Sequence, residues 1–223
     1  MSIKLFISAI VKFTIGIVLV GLLIFLPAGT LNYTNGWIFM GVLFIPMFLA
    51  GIVMMIKDPK LLESRLDAKE KQSEQGLIVK LSGLMFLVGF ILAGLDYRYN
   101  WLQVPEWLTY LAVVIFILSY FLYALVLKEN TYLSRTIGVR EGQKVVDTGV
   151  YGIVRHPMYT ATIFLFISMP LILGSFVSFF IFLLYPILIG FRAVNEEKFL
   201  LNELEGYSEY LKKVKYRFIP YIF

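Results

Sequence analysis

The chain has 223 residues, 59% of them hydrophobic, and its mean hydropathy of +0.81 is too high for a soluble domain. It has no cysteine, which excludes disulfides, thiolate nucleophiles and cysteine-ligated metals, and its single histidine excludes a multi-histidine metal site. The formal charge of +5 sits in loops between apolar runs, a pattern better explained by anionic lipid than by nucleic acid.

The first apolar run, Ile3 to Leu26, carries only Lys4 and Lys12 and exceeds the roughly 20 residues that cross a bilayer. It is too long for a signal-peptide core and lacks a small-residue cleavage site, so it is expected to be retained. A loop without charge, 27–36, leads to a second span from Trp37 to Ile56, with Tyr33 and Trp37 placed as interfacial aromatics and Pro46 as a kink. The stretch Lys57 to Lys80 interleaves basic and acidic residues. Leu61, Leu62 and Leu66 recur there near helical spacing, which suits a helix lying along the membrane, with a solvated linker as the alternative. A third span, Leu77 to Leu95, is followed by a short aromatic-rich loop from Asp96 to Glu106 and a fourth span from Leu108 to Leu127.

The polar stretch Glu129 to Val154 contains Gln143 to Asp147, which can be extended, and a turn at Thr148-Gly149. Two short apolar runs, Tyr159 to Leu173 and Phe176 to Phe191, are joined only by Gly174-Ser175 and predict a tight helical hairpin, each arm barely long enough to span. Asn195 to about Val214 then predicts an amphipathic helix with Phe199, Glu203, Tyr207, Tyr210 and Val214 on one face. The expected fold is an all-α integral membrane protein with about six membrane-embedded helices. Its parts are four N-terminal spans (1–128) and one continuous unit (129–223) of loop, hairpin and cytoplasmic C-terminal helix. Lysine and arginine concentrate in the 57–80 loop, the 128–155 loop and the C-terminal tail, which predicts both termini in the cytoplasm.

One polar stretch stands out: Asp147-Thr148-Gly149-Val150-Tyr151-Gly152-Ile153-Val154-Arg155-His156-Pro157-Met158-Tyr159. Pro157 pushes His156 out of the α region and suits the first position of the helix that follows. The amides of Met158, Tyr159 and Thr160 would then be open donors at a helix start, with Arg155 beside them, a seat for a carboxylate or phosphate. The plainer alternative is a helix start with its arginine at the headgroups. Beyond the hairpin come Arg192, Glu196 and Glu197. Arg192 and Glu196 are four apart and face the same way, whereas the adjacent glutamates cannot both point squarely into one site.

The order Gly-x-Tyr-x-x-x-Arg-His-Pro-x-Tyr, apolar hairpin, Arg-x-x-x-Glu-Glu, Tyr-x-x-Tyr-x-x-x-Val-x-x-Arg-Phe-Ile-Pro, from about Asn130 to the end, resembles one superfamily of membrane enzymes. It comprises the isoprenylcysteine carboxyl methyltransferases and the phospholipid N-methyltransferases. The resemblance implies S-adenosylmethionine as cofactor and a lipid-like or small amphiphilic acceptor (carboxylate, thiol or amine) reaching it from the bilayer; no metal is expected, since no clustered acidic motif argues for one. It implies catalytic roles for Arg155, His156 and Glu196. The cofactor would be held by Gly149, Tyr151, Arg155, His156, Pro157, Tyr159, Glu196, Glu197 and Tyr207. Arg155 suits the cofactor's carboxylate, a glutamate its amine or ribose, and a tyrosine ring its adenine or sulfonium. The chain departs from the family pattern at Ala161, where glycine is common, and at Glu203-Leu204, where Phe-Gly is common. The tail also looks like that of NADPH-dependent membrane sterol reductases, which lack Arg-His-Pro at the hairpin, so a reductase is the second enzymatic reading; a non-enzymatic membrane protein is a third.

Overall fold

A computed structural model describes residues 3–66, 73–130, 132, 138–139 and 142–222. The helices are α1 (Ile3–Ala28), α2 (Thr34–Lys57), α3 (Pro59–Leu66), α4 (Ser73–Tyr99), α5 (Glu106–Glu129), α6 (Pro157–Ile172), α7 (Phe176–Phe182), α8 (Leu184–Glu203) and α9 (Tyr207–Lys213), with a 3₁₀ turn at Gly149–Gly152. The fold is all-helical among the described residues, with one isolated antiparallel bridge between Gln103 and Ser175.

Among the described residues, five stretches are long and apolar enough to cross a membrane: α1, α2, Gly76–Tyr99 of α4, α5, and the run Phe176–Glu203 through α7 and α8. Helix α6 has 16 residues and rises only about 24 Å, short of a hydrocarbon core of about 30 Å. Many large apolar side chains on α1, α2 and α5, such as Ile15, Ile45 and Phe121, point outward, as lipid-facing surfaces must. The interior is aromatic: Phe90 and Phe182 lie 5.8 Å apart, Phe86 meets Phe182 edge-on, and Phe39 approaches both Phe90 and Phe116. Helices α1 and α4 cross so closely at Gly94 that a Cβ there would lie 2.4 Å from the Ile24 carbonyl oxygen, the close backbone approach that small residues allow between membrane helices.

The structure corrects or refines three sequence-based expectations. The loop expected from Asp96 is helix through Tyr99, because the Asp96 carboxylate folds inward and is wholly buried. The Ser175 hydroxyl donates to one carboxylate oxygen, and the Leu102 N–H (2.8 Å) and Gln103 Nε2 (3.1 Å) donate to the other. The kink that Pro186 predicts in the second arm of the hairpin is a full break at Leu183, one turn earlier. A proline at that point supplies no N–H to the Phe182 carbonyl and crowds it. Third, that arm and the helix expected over 195–214 are not separate elements. Helix α8 runs on through Arg192 and Glu196 to Glu203, and the chain then breaks at Gly206 (φ +82°) before α9. The expected common face therefore does not exist: Glu203 is exposed, while Tyr207, Tyr210 and Val214 are buried.

Helix α3 realises the amphipathic reading of 59–66, with Leu62 buried; residues 67–72 of that loop lie outside the described residues. At one end of the bundle the hairpin turn is clamped. Val104 N–H donates to Gly174 C=O (3.0 Å), Phe176 N–H to Leu102 C=O (3.0 Å), and the Tyr33 hydroxyl to Leu173 C=O. The turn uses Gly174 at φ +79°. The hairpin thereby returns α8 to the opposite end, where α6 begins.

Candidate active site

The approach to α6 is shaped from α5. Gly149 takes φ +54°, and a Cβ there would lie 2.2 Å from Glu129 Oε1. The same carboxylate accepts from Val150 N–H at 2.9 Å, fixing the turn expected at Thr148-Gly149. Tyr151 follows, buried, with its hydroxyl accepting from Asn130 Nδ2 (3.0 Å) and its carbonyl from the Tyr210 hydroxyl (2.8 Å). Burial is the main cause pushing the Tyr151 hydroxyl up to about 12, so it stays protonated.

His156 occupies the N-cap position of α6 (φ −125°, ψ 63°) and Pro157 its first turn, as the sequence predicts. The C-terminal segment runs alongside. Arg155 N–H donates to Tyr216 C=O (2.8 Å), His156 N–H to Arg217 C=O (2.9 Å), and the Thr160 hydroxyl to Phe218 C=O (2.7 Å). The Arg155 guanidinium adds bonds from Nη1 to the carbonyls of Val214 (3.0 Å) and Lys215 (2.9 Å). The tail motif is thus what closes the back of the site.

The two glutamates have separate duties. Glu197 is buried behind the site: its Oε1 accepts from Arg155 Nε (2.7 Å) and from His156 Nε2 (3.1 Å), and its Oε2 from Arg217 Nε (2.9 Å). A carboxylate flanked by two guanidinium groups is an acceptor only, so His156 Nε2 bears a proton and donates to it; in the neutral ring the lone pair is then on Nδ1. Glu196, with its side chain 25% exposed, faces an open cleft and lies 3.9 Å from that Nδ1 through Oε2. The Tyr159 hydroxyl donates to the same Oε2 at 2.6 Å and accepts from Arg192 Nε at 3.1 Å.

The cleft encloses about 820 Å³ counting its open mouth. Arg155, His156, Glu196, Asn130, Gln143 and Lys144 contribute to its polar lining; Tyr151, Tyr159, Tyr207 and Tyr210 supply aromatic walls; Val145, Leu200 and Leu204 line the apolar side. Burial, then the charges of Glu197 and Glu196, hold the Tyr207 hydroxyl well above the ordinary tyrosine range, so it too is neutral. Helix α9 is tied over the mouth by Lys213 Nζ to Asp147 Oδ2 (2.6 Å). A second, larger groove, lined by α1, α2 and the loop between them around Gly21 and Met40, is apolar apart from Thr30 and is lined by no ionisable side chain among the described residues.

Of the residues singled out from sequence, Tyr151, Arg155, His156, Tyr159, Glu196 and Tyr207 meet at this cleft. Glu197 stands behind it, Pro157 is wholly buried in the helix start, and Gly149 shapes the turn without lining the space. Not all of the amides expected to be open are so, since Thr160 N–H donates to His156 C=O (3.1 Å). Arg155 Nε pairs with Glu197 and its Nη1 donates to the Val214 and Lys215 carbonyls, so both are already engaged. Sequence reasoning missed Asn130 as a wall residue and Arg217 as the second partner of Glu197. The Arg217 signal lay in the tail motif; Asn130 acts through a contact that no local pattern announces.

Comparison with known proteins fits this arrangement. Residues 107–205 match the phospholipid methyltransferase family model, a stretch that begins within α5 and ends just before α9. That region includes α5, which the sequence-based resemblance left out and which delivers Glu129 and Asn130 to the site. The chain is also 31% identical over 91 residues to the Delta(14)-sterol reductase TM7SF2 of Mus musculus; the aligned part is 40% of this chain and 22% of the reductase. The chain thus matches less than a quarter of that relative's length. With its long apolar helices, this is a multi-pass integral membrane protein, and its residues 107–205 are similar to the phospholipid methyltransferase family.

Proposed function

We propose that the protein is an S-adenosylmethionine-dependent methyltransferase whose acceptor is a lipid-like or amphiphilic carboxylate, thiol or amine presented from the bilayer. The observation that carries the reading is the contrast between the two glutamates. Glu197 is surrounded by cationic groups, whereas Glu196 is held by a tyrosine hydroxyl and turned toward a cleft walled by tyrosines. A carboxylate among aromatic faces suits a cationic ligand with an amine and a ribose diol. S-adenosylmethionine, when bound, supplies an electrophilic methyl group on a sulfonium sulfur.

The residues divide the remaining work. Glu196 accepts from the amine or the ribose hydroxyls, and Tyr151, Tyr159 and Tyr207 offer rings to adenine or sulfonium. Arg155 keeps Nη2 for the cofactor's carboxylate, since Nε and Nη1 are bonded within the protein. In-line methyl transfer demands alignment above all, which a closed-backed cleft of this kind supports. A carboxylate or thiolate acceptor needs no base; for an amine, the Nδ1 lone pair of His156 is the group positioned to take the proton.

The cleft belongs on the cytoplasmic side, by the distribution of lysine and arginine. It sits at the same end of the bundle as α3, which Lys12 of α1 joins through a bond to Leu66 C=O (2.8 Å). With no native cysteine, single cysteines at Asn32 and Ser208 test this: outside labelling of the first and inside labelling of the second are expected, and the reverse would overturn the orientation. The activity is tested by incubating the purified protein with labelled S-adenosylmethionine and a lipid extract and identifying the labelled product. The sterol-reductase likeness keeps NADPH as the second reading. Ligand at 100 times its dissociation constant adds about 2.7 kcal/mol of stability. Stabilisation by NADPH, without any by S-adenosylmethionine or its demethylated product, would replace the methyltransferase reading by the reductase one.

A further inference from the structure

We infer that Arg192 is a positioning residue: it sets the direction of the Tyr159 hydroxyl proton, and through Tyr159 it holds the Glu196 carboxylate toward the cleft. This rests on the cofactor reading given above.

The inference follows from donor and acceptor bookkeeping. A guanidinium has only donors, so in the 3.1 Å contact between Arg192 Nε and the Tyr159 oxygen the tyrosine must accept. A tyrosine hydroxyl has one proton, and that proton is therefore left for Glu196 Oε2 at 2.6 Å. Two consequences follow. Tyr159 cannot act as the base for a methyl acceptor, because its oxygen is held as acceptor by a permanent cation and its proton is committed. Glu196 has Oε2 engaged from behind and presents Oε1 to the cleft. Arg192 is buried and is not among the described residues that line the cleft; Tyr159, which does line it, links the two. The Arg-x-x-x-Glu spacing puts Arg192 and Glu196 on one face of α8, and the first turn of α6 inserts Tyr159 between their functional groups. His156 stacks on the Tyr159 ring with centroids 5.4 Å apart, which fixes the plane from which the hydroxyl points.

The test is a double-mutant cycle on the full chain in detergent, reading the dissociation constant of S-adenosylhomocysteine per folded molecule and, separately, kcat and the KM for S-adenosylmethionine. Tyr159→Phe and Arg192→Met are each expected to weaken binding about tenfold, the value of one charged hydrogen bond. The double variant should bind no more weakly than Tyr159→Phe alone, Arg192→Lys should recover most of the loss, and the change should fall on KM rather than on kcat. If Arg192→Met does not fold, Arg192→Gln takes its place in the cycle. Equal losses from the arginine change with and without the Tyr159 hydroxyl would mean that Arg192 meets the ligand directly, and the relay would be wrong. Wild-type affinity in folded Arg192→Met or Tyr159→Phe would also overturn it. A wild-type protein that binds neither S-adenosylmethionine nor S-adenosylhomocysteine overturns the cofactor reading and the relay together, an outcome visible before any variant is made.

Discussion

Buried carboxylates sit at both ends of this helical bundle, and they serve different ends. Asp96 is wholly enclosed, and its partners are neutral: the Ser175 hydroxyl, the Leu102 amide and the Gln103 amide side chain. These donors saturate it and pin the hairpin turn to the α4–α5 loop. Glu197 is buried as well, but two arginines and His156 surround it, and its neighbour Glu196 opens onto a cleft. Burial and hydrogen bonding of an acid are therefore common to both ends. A cleft, and a carboxylate oxygen still turned toward it, belong to one.

That contrast predicts different costs. The largest effect is expected for Glu197→Ala, which strands the Arg155 and Arg217 guanidinium groups and His156 around an empty place. Removing one partner of a buried charge cluster typically costs 3–5 kcal/mol, so folded yield and chemical stability in detergent should fall sharply. A loss below about 1 kcal/mol would show that the cluster is solvated and not the back wall described here. Asp96→Ala should cost less, about 1–3 kcal/mol, because it orphans neutral donors only. It should leave cofactor affinity per folded molecule unchanged; a tenfold change would mean that the clamp at the far end tunes the site, and the two ends could no longer be treated as separate.

The hairpin made much of the site legible from sequence. Two apolar runs joined by Gly174-Ser175 must return the chain to its starting side, which places Arg192 to Glu197 beside Arg155 and His156 whatever the details. Pro157 likewise announced the start of α6. The glutamate assignment was not legible. Neighbouring positions on a helix differ by about 100° in direction, so the choice depends on the rotation of α8, which Tyr185, Ile189 and Ala193 set by packing into the core. The inward turn of Asp96 was hidden for a similar reason: its partner Ser175 is 79 residues away, and an aspartate beside interfacial tyrosines reads as solvent-facing. Gly206 illustrates a third kind of miss. Tyr207 and Tyr210 kept a helical spacing with residues before the break, yet a left-handed glycine separated them.

Glu196→Gln should be the quietest of the carboxylate changes for stability, since glutamine still accepts from Tyr159 and the side chain is 25% exposed. It is also the most direct test of the central claim, that Glu196 is the open carboxylate of a cationic-cofactor site. The measurement is the dissociation constant for S-adenosylmethionine of wild-type, Glu196→Gln and Asp96→Asn protein, each normalised to its folded fraction. Loss of a charged hydrogen bond predicts binding about tenfold to a hundredfold weaker for Glu196→Gln and unchanged for Asp96→Asn. Undiminished affinity in folded Glu196→Gln would contradict the assignment of this cleft.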